Sequence, residues 1–339
     1  MDFRSDNTAG VHPSLFEAMF QVGEGNQASY GNDEISKKLK QKLTELFGTE
    51  VWSVLVSTGT AANCTALRAL TPGHGTIIIA NEAHLNNDEG QAPELLLGGA
   101  KLRGFSTSDH KLDLKKAKAW VDKARAMIPH AGNPTTVSIT QTTEWGDYYS
   151  MQELREIRSF CDQEKLKLHI DGARIANALA AQNLSLKEFY NIVKPDALSF
   201  GLTKNGGLMA EAVLVFDHDI ATELKYAQKQ LGQLLSKTRF IAAQFLALLN
   251  NDLFIQLATA ANDRSAELID TLSEHSDIEI IGKPKTNQVF ARIPQELAKK
   301  LQDKGVLFYN WEGDSWRFVC SWATKTSEIA SFSKLLASL

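Results

Sequence analysis

Four short runs in this chain carry residue types that can do chemistry. Ser57-Thr58-Gly59-Thr60 joins a glycine, which lets backbone approach an anion, to the free N–H groups of a helix start. It resembles a phosphate cradle without the lysine of a nucleotide-binding loop, and the same run also serves as an ordinary helix cap. Asn81-Glu82-Ala83-His84 offers an imidazole able to stack on a flat ring or to move protons near neutrality. A lone histidine is more often a plain surface residue. Asp171 lies in His169-Ile170-Asp171-Gly172-Ala173-Arg174, after an apolar stretch, where a carboxylate needs a cationic or donor partner. A protonated ring nitrogen and Arg174 are equal candidates. Lys204 lies in Ser199-Phe200-Gly201-Leu202-Thr203-Lys204-Asn205-Gly206-Gly207. Partial desolvation there would lower its proton affinity and make the amine nucleophilic, although most loop lysines are simply solvated. Thr203 beside it has a hydroxyl for a phosphate, and the glycines allow a tight turn.

These runs share a position. Ser53–Ser57, Thr76–Ala80, Thr136–Thr140, Leu166–Ile170 and Ala197–Gly201 read as strands without polar alternation, interleaved with helical patterns such as Thr60–Leu70 and Ser150–Lys165. Such strands form a parallel sheet covered on both faces, so the expected fold class is α/β, doubly wound. Ligands of open α/β sheets bind beyond the carboxyl ends of the strands, which is where the four runs sit. A cradle, an imidazole, a carboxylate and a lysine on successive strand ends are the contacts pyridoxal 5'-phosphate requires. Lys204 would hold it as a Schiff base and Asp171 would face its pyridine nitrogen. No G-x-G-x-x-G or H-E-x-x-H run competes.

Beyond about Lys225 long helical patterns dominate, at Ile220–Leu235, Arg239–Leu249 and Leu253–Ser273. Ile278–Ile281, Gln288–Arg292 and Trp316–Val319 then read as short strands around a helix at Gln295–Asp303, a small antiparallel sheet with one face on helices. The expected domains are 1–245, large and cofactor-binding, and 246–339, small and α+β.

Composition removes other classes. The 339 residues are 43% hydrophobic and 22% charged, with a net charge of -4 and no basic run, which argues against a nucleic-acid binder. Cys64, Cys161 and Cys320 are scattered, leaving neither a disulfide framework nor a thiolate zinc site, and no metal is expected. Met1–Asp6 is charged where a signal peptide needs its apolar core. The longest apolar stretch, Phe240–Leu249, is interrupted by Gln244 and too short to span a bilayer. A reduced cytoplasmic enzyme with no membrane contact is the expectation.

The residues then match a family. Phe3-Arg4-Ser5-Asp6-Asn7-Thr8, Tyr30-Gly31-Asn32-Asp33, the Ser57 run, Glu82-Ala83-His84, the Asp171-Gly172-Ala173-Arg174 run and the Thr203-Lys204 pair together resemble the L-threonine aldolases. These belong to the threonine aldolase/β-eliminating lyase group of fold-type-I pyridoxal phosphate enzymes, and the likeness covers nearly the whole chain. The resemblance implies retro-aldol cleavage of L-threonine, L-allo-threonine or related L-β-hydroxy-α-amino acids such as phenylserine, giving glycine and an aldehyde. It implies that Ser5, Arg174 and Arg317 hold the substrate carboxylate, that His84 stacks on the cofactor, and that Gly59 and Thr60 bind its phosphate. It gives His130 a contact with the substrate hydroxyl; His84, His130 or a water would be the base. It also implies dimers paired into a tetramer, with a phosphate contact reaching across from the stretch holding Lys229, Lys237 and Arg239. The chain departs from the usual pattern at Leu85-Asn86-Asn87-Asp88-Glu89 and at Gln141-Thr142-Thr143-Glu144-Trp145-Gly146. The alternatives are another fold-type-I enzyme (a β-eliminating lyase or aminotransferase), alanine racemase activity, or a non-catalytic cofactor-binding protein.

Overall fold

Apolar β-type runs become the strands of a seven-stranded sheet: β1 Trp52–Val56, β2 Gly75–Ile79, β3 Lys101–Gly104, β4 Asn133–Thr140, β5 Lys167–Gly172, β6 Ala197–Gly201 and β7 Glu211–Val215. The computed structural model describes every residue from Met1 to Leu339. The strand order is β1-β7-β6-β5-β4-β2-β3. The sheet is parallel except for β7, which runs antiparallel to both neighbours. Only a short turn separates β6 from β7, and a parallel return needs a crossover of a dozen or more residues. Sequence reading did not anticipate β7, nor β3, a short strand of alternating exposure at the sheet edge.

Alternation along the strands divides the sheet into two unlike faces. Leu55, Leu168, Ile170, Leu198 and Phe200 enter the main core on one side. Val54, Val56, Ala197, Val213 and Val215 turn to the other, where Ala62, Ala66 and Leu70 of the helix Gly59–Leu70 cover them. Small alanines let that helix lie close to the sheet. The second face also carries buried polar groups: His169 bridges Ser138 of β4 and Ser199 of β6 through its two ring nitrogens (2.8 and 2.9 Å). Two residues along the same strand, Asp171 shares this face at the carboxyl edge.

A second sheet, β8 Glu279–Ile280, β9 Gln288–Arg292, β10 Tyr309–Glu312 and β11 Ser315–Val319, is antiparallel throughout, in the order β10-β11-β9-β8. The helix Gln295–Asp303 falls where expected, and β10 is an additional, largely exposed strand. Residue 245 lies inside the helix Arg239–Leu249, and Phe245 belongs to the main core. The change of core falls later, within Leu253–Ser273: Phe254, Leu257 and Ala258 pack into the first core, Leu268 and Leu272 into the second. The N-terminal segment crosses over too. Phe3 is buried among the second core's residues, its N–H bonding Leu307 and its carbonyl receiving Val319 N–H.

The stretch Arg239–Ser273 is long and apolar enough by composition to cross a membrane, unlike the shorter run read from sequence. It is broken at Asn250–Asp252, where Asn251 and Asp252 are left-handed, and about half of its most apolar part is buried in the protein.

Candidate active site

One cavity at the carboxyl edge collects Gly59, Thr60, His84, Asp171, Arg174 and Lys204, together with Asn63, Glu89, Thr140, Thr142, Glu144 and Ala173. A larger groove of about 480 Å³, along Tyr30–Asn32 and Trp52–Leu55, contains none of these residues.

Each polar side chain is held from a different strand end. Asp171, at the end of β5, is fully buried and accepts the Ala173 N–H (3.0 Å) and Asn63 Nδ2 (2.8 Å). Burial alone would raise its pKa, but the nearby charges of His84 and Lys204 and these donors hold it below the usual carboxylate range. It makes no bond to Arg174; that alternative is excluded. Asn63 stands one helical turn beyond Gly59, and its Nδ2 donates a second bond to Glu89 Oε1 (2.8 Å). Glu89 Oε1 also meets His84 Nδ1 (2.9 Å). A continuous array therefore runs His84–Glu89–Asn63–Asp171. The amide must be oriented this way, since its oxygen would repel both carboxylates.

His84 begins a short helix after β2, and its backbone N–H donates to Glu144 Oε1 (2.8 Å). Burial opposes the imidazolium, yet Glu89, Asp171 and their charges raise its pKa overall. With Nδ1 engaged, Nε2 is the free ring nitrogen. Glu144 is half-buried, and its pKa is pushed up by desolvation despite bonds from Thr140 and the His84 N–H.

Lys204 sits in the 3₁₀ turn Thr203–Asn205 after β6. Its proton affinity is lowered first by burial and then by Arg174. Arg174 Nε and Nη2 grip Asp6 at 2.7 and 2.9 Å, and Asn287 donates to the same carboxylate (2.9 Å). Asp6 stays below the usual range because Arg174 outweighs its desolvation. Arg317, from β11, lies over Trp311 (4.8 Å) and donates to the Arg4 carbonyl (3.4 Å). Burial, and then the charge of Arg174, lower its pKa, and its Nε has no partner in the protein. Two guanidiniums thus act on one region. Ser5 adjoins Asp6 and caps the first turn by accepting Asn7 N–H (3.1 Å).

Three expected site residues do not line the cavity within one chain. His130 is exposed and precedes β4, so it stands at the amino edge of the sheet. The eight residues of β4 separate it from the cavity by roughly 20 Å. Arg239 Nε donates to the Val22 carbonyl (2.9 Å) and does not line the cavity of its own chain. Thr203 is consumed by its own loop, its hydroxyl accepting Ala210 N–H (3.1 Å). At the cradle, Ser57 N–H and hydroxyl both meet Gln233 Oε1 (3.2 and 3.0 Å), a contact from a distant segment. Asn63, Glu89, Glu144, Asp6 and Gln233 were not picked out from sequence as site residues. Glu89 and Glu144 lay within the two divergent runs, and Asn63 shares the helix face of Gly59 by its spacing; Asp6 and Gln233 gave no local signal beyond their motifs.

An open, mostly parallel α/β sheet with a half-buried lysine and a buried aspartate facing one polar cavity is the fold-type-I architecture. The comparisons carry this further. The beta-eliminating lyase family matches residues 2–296. A low specificity L-threonine aldolase of Pseudomonas aeruginosa is 33% identical, over 98% of this chain and 96% of its own length. One from a Pseudomonas species is also 33% identical, over 96% and 94%. The structure of a Leishmania major threonine aldolase superposes with a TM-score of 0.93 at 26% identity, covering 99% of this chain and 98% of that one. The chain belongs to the beta-eliminating lyase family.

Proposed function

We propose that this protein cleaves L-threonine and related L-β-hydroxy-α-amino acids to glycine and an aldehyde, using pyridoxal 5'-phosphate on Lys204. The observation that carries the reading is the half-buried Lys204 and ionised Asp171 facing one cavity that opens beside the Gly59–Thr60 helix start. The residues present fit the cofactor. A Cβ at Gly59 would meet nothing within 4 Å, leaving room for a phosphate. Asn63 Oδ1, Glu89 Oε2 and Thr142 Oγ1, all in the cavity lining, have no partner in the protein. When bound, the cofactor supplies an aldehyde for amines and a ring that takes up the electron pair left by the broken Cα–Cβ bond.

The chain's own residues do the rest. Lys204, with its lowered proton affinity, gives up a proton more readily and so exposes its amine for covalent attachment. Asp171 keeps a facing ring nitrogen protonated because its own carboxylate stays ionised. Arg174, anchored by Asp6, and Arg317 orient the substrate carboxylate, and fixing the scissile bond in this way is worth several powers of ten in rate. His84 Nε2 receives the β-hydroxyl proton, since Glu89 holds the ring from the other side. A second copy of the chain, docking over exposed apolar residues such as Phe20 and Tyr30, and a cytoplasmic setting for the three free buried cysteines complete the proposal.

The test is direct. With pyridoxal phosphate and borohydride the protein should carry a reduced adduct on Lys204, absent in Lys204→Ala. Glycine and acetaldehyde should form from L-threonine without any 2-oxo acid. An unchanged adduct in Lys204→Ala, or turnover only with a 2-oxo acid, would overturn it.

A further inference from the structure

The loop that leaves β4 belongs by sequence to the large domain, yet the second sheet holds it. Lys285 N–H and Thr286 Oγ1 both donate to the Gly146 carbonyl at 2.9 Å. Lys285 Nζ pairs with Asp147 (2.9 Å), and Gln288 Nε2 donates to the Thr143 carbonyl (3.4 Å). Gly146 has a φ of +74°, and a Cβ there would run into the Gln288 carbonyl oxygen, so the close approach needs glycine. Trp145 stacks on His110 (4.4 Å) and packs against Phe290 of β9 (4.8 Å). Phe290 is the register partner of Arg317 in β11. Trp311, over which Arg317 lies, meets the rings of both Trp145 and Phe290.

Glu144 stands between these anchors and the cavity. The turn His84–Asn87 has no side-chain cap of its own, and the first N–H groups of a helix find no partner within it. Glu144 Oε1 supplies one from outside, accepting the His84 N–H at 2.8 Å. Glu89 Oε1 holds the same residue at Nδ1 (2.9 Å). Backbone and ring are thus fixed separately, and together they give Nε2 a single direction. If the helix start shifts, the ring's bond to Glu89 goes with it.

We infer that Glu144 is a positioning residue for His84, and that the strap Thr143–Asp147 ties it to the aromatic cluster carrying Arg317. The base and one guanidinium of the carboxylate clamp then take their places from one body, the second sheet. A misplacement of about 1 Å can cost about a hundredfold in rate. A shared frame therefore matters for a substrate gripped at its carboxylate and at its β-hydroxyl. The part His84 plays as base rests on the proposed function; the strap and its hold on His84 do not. A bond that merely closed the loop could be removed without changing how the imidazole titrates.

The experiment follows His84 in the full chain without cofactor. Diethyl pyrocarbonate modifies unprotonated imidazole, and peptide mass spectrometry reads the His84 rate across pH 5 to 8 against exposed His218, with circular dichroism confirming folding. The charged groups facing His84 are Glu89 in its own loop, Glu144 after β4, Asp171 of β5 and Lys204 after β6. Glu144→Ala should free the ring from Glu89 and move the profile about one pH unit lower, with several-fold faster labelling at pH 6. Glu144→Gln removes the charge but keeps an acceptor oxygen, and should match wild type. Trp145→Ala and Gly146→Ala, both outside the cavity lining, should reproduce the Glu144→Ala shift. Trp145→Ala strains no backbone and carries this arm if Gly146→Ala does not fold. With pyridoxal phosphate restored, kcat/KM for L-threonine should stay within about threefold in Glu144→Gln and fall by about thirtyfold or more in the others. A folded Glu144→Ala with the wild-type profile, or a Glu144→Gln shifted as far as Glu144→Ala, overturns the positioning role. A wild-type profile in folded Trp145→Ala or Gly146→Ala overturns the strap. Absence of a borohydride-trapped adduct on Lys204 would instead sink the proposed function and leave the labelling result standing.

Discussion

Asn63→Leu is the most informative single perturbation, because one side-chain nitrogen serves two buried carboxylates. Leucine has the same branching and number of side-chain heavy atoms and removes both donors, from Asp171 and from Glu89 (each 2.8 Å). Hydrogen bonds to charged groups contribute about 1.5–3 kcal/mol each, so the pair amounts to roughly 3–6 kcal/mol. The expected destabilisation of the cofactor-free protein is therefore about 3–6 kcal/mol at pH 7. Its sign with pH follows from Asp171, whose folded pKa is depressed. Stability from such a group is present above the unfolded pKa and disappears as pH falls through the folded value. Asn63 helps depress that pKa, so the gap between wild type and variant should narrow as pH falls toward and through the folded value of Asp171, below the usual carboxylate range. Urea unfolding at pH 7 and at about pH 3.5 measures both. A loss below ~1 kcal/mol at pH 7, or one independent of pH, would refute the shared-amide reasoning.

Three further expectations concern other residues. Asp6→Asn keeps the shape but removes the charge gripping Arg174, so kcat/KM for L-threonine should fall about ten- to hundredfold, mainly through KM; steady-state kinetics showing a kcat effect alone would contradict the anchoring role. His130→Ala, remote from the cavity, should leave kcat/KM within about twofold, whereas His84→Ala should lower it by about a hundredfold or more; the same assay compares them. His169, whose pKa burial lowers to about 4, contributes stability that is full above the unfolded value near 6.5 and is lost as pH falls toward 4. Between pH 7 and 4, His169→Gln should therefore lose about 3 kcal/mol less than wild type, read from denaturant midpoints.

Local pattern carried much of this protein. Apolar runs between helical stretches specify a mostly parallel sheet, and strand ends are where such a sheet exposes polar groups. Lys204, Asp171, His84 and Gly59 were legible for that reason. Each sits next to a strand whose hydrophobicity announces it. The assignment of His130 came from likeness to relatives, while its own place, ahead of β4, puts it at the amino edge of the sheet within one chain.

What sequence could not decide is which charges meet. Asp6 finds Arg174 across most of the large domain because Phe3 buries itself in the second core and draws the N-terminus over the site. Asn63 reaches Asp171 because small alanines bring its helix down onto the sheet. Glu144 reaches the His84 N–H because Gly146 and Trp145 pack its loop against the second sheet. The physical reason is common to all three. Periodicity reports the local contest between water and core, whereas pairing of buried charges depends on distances set only when distant elements pack.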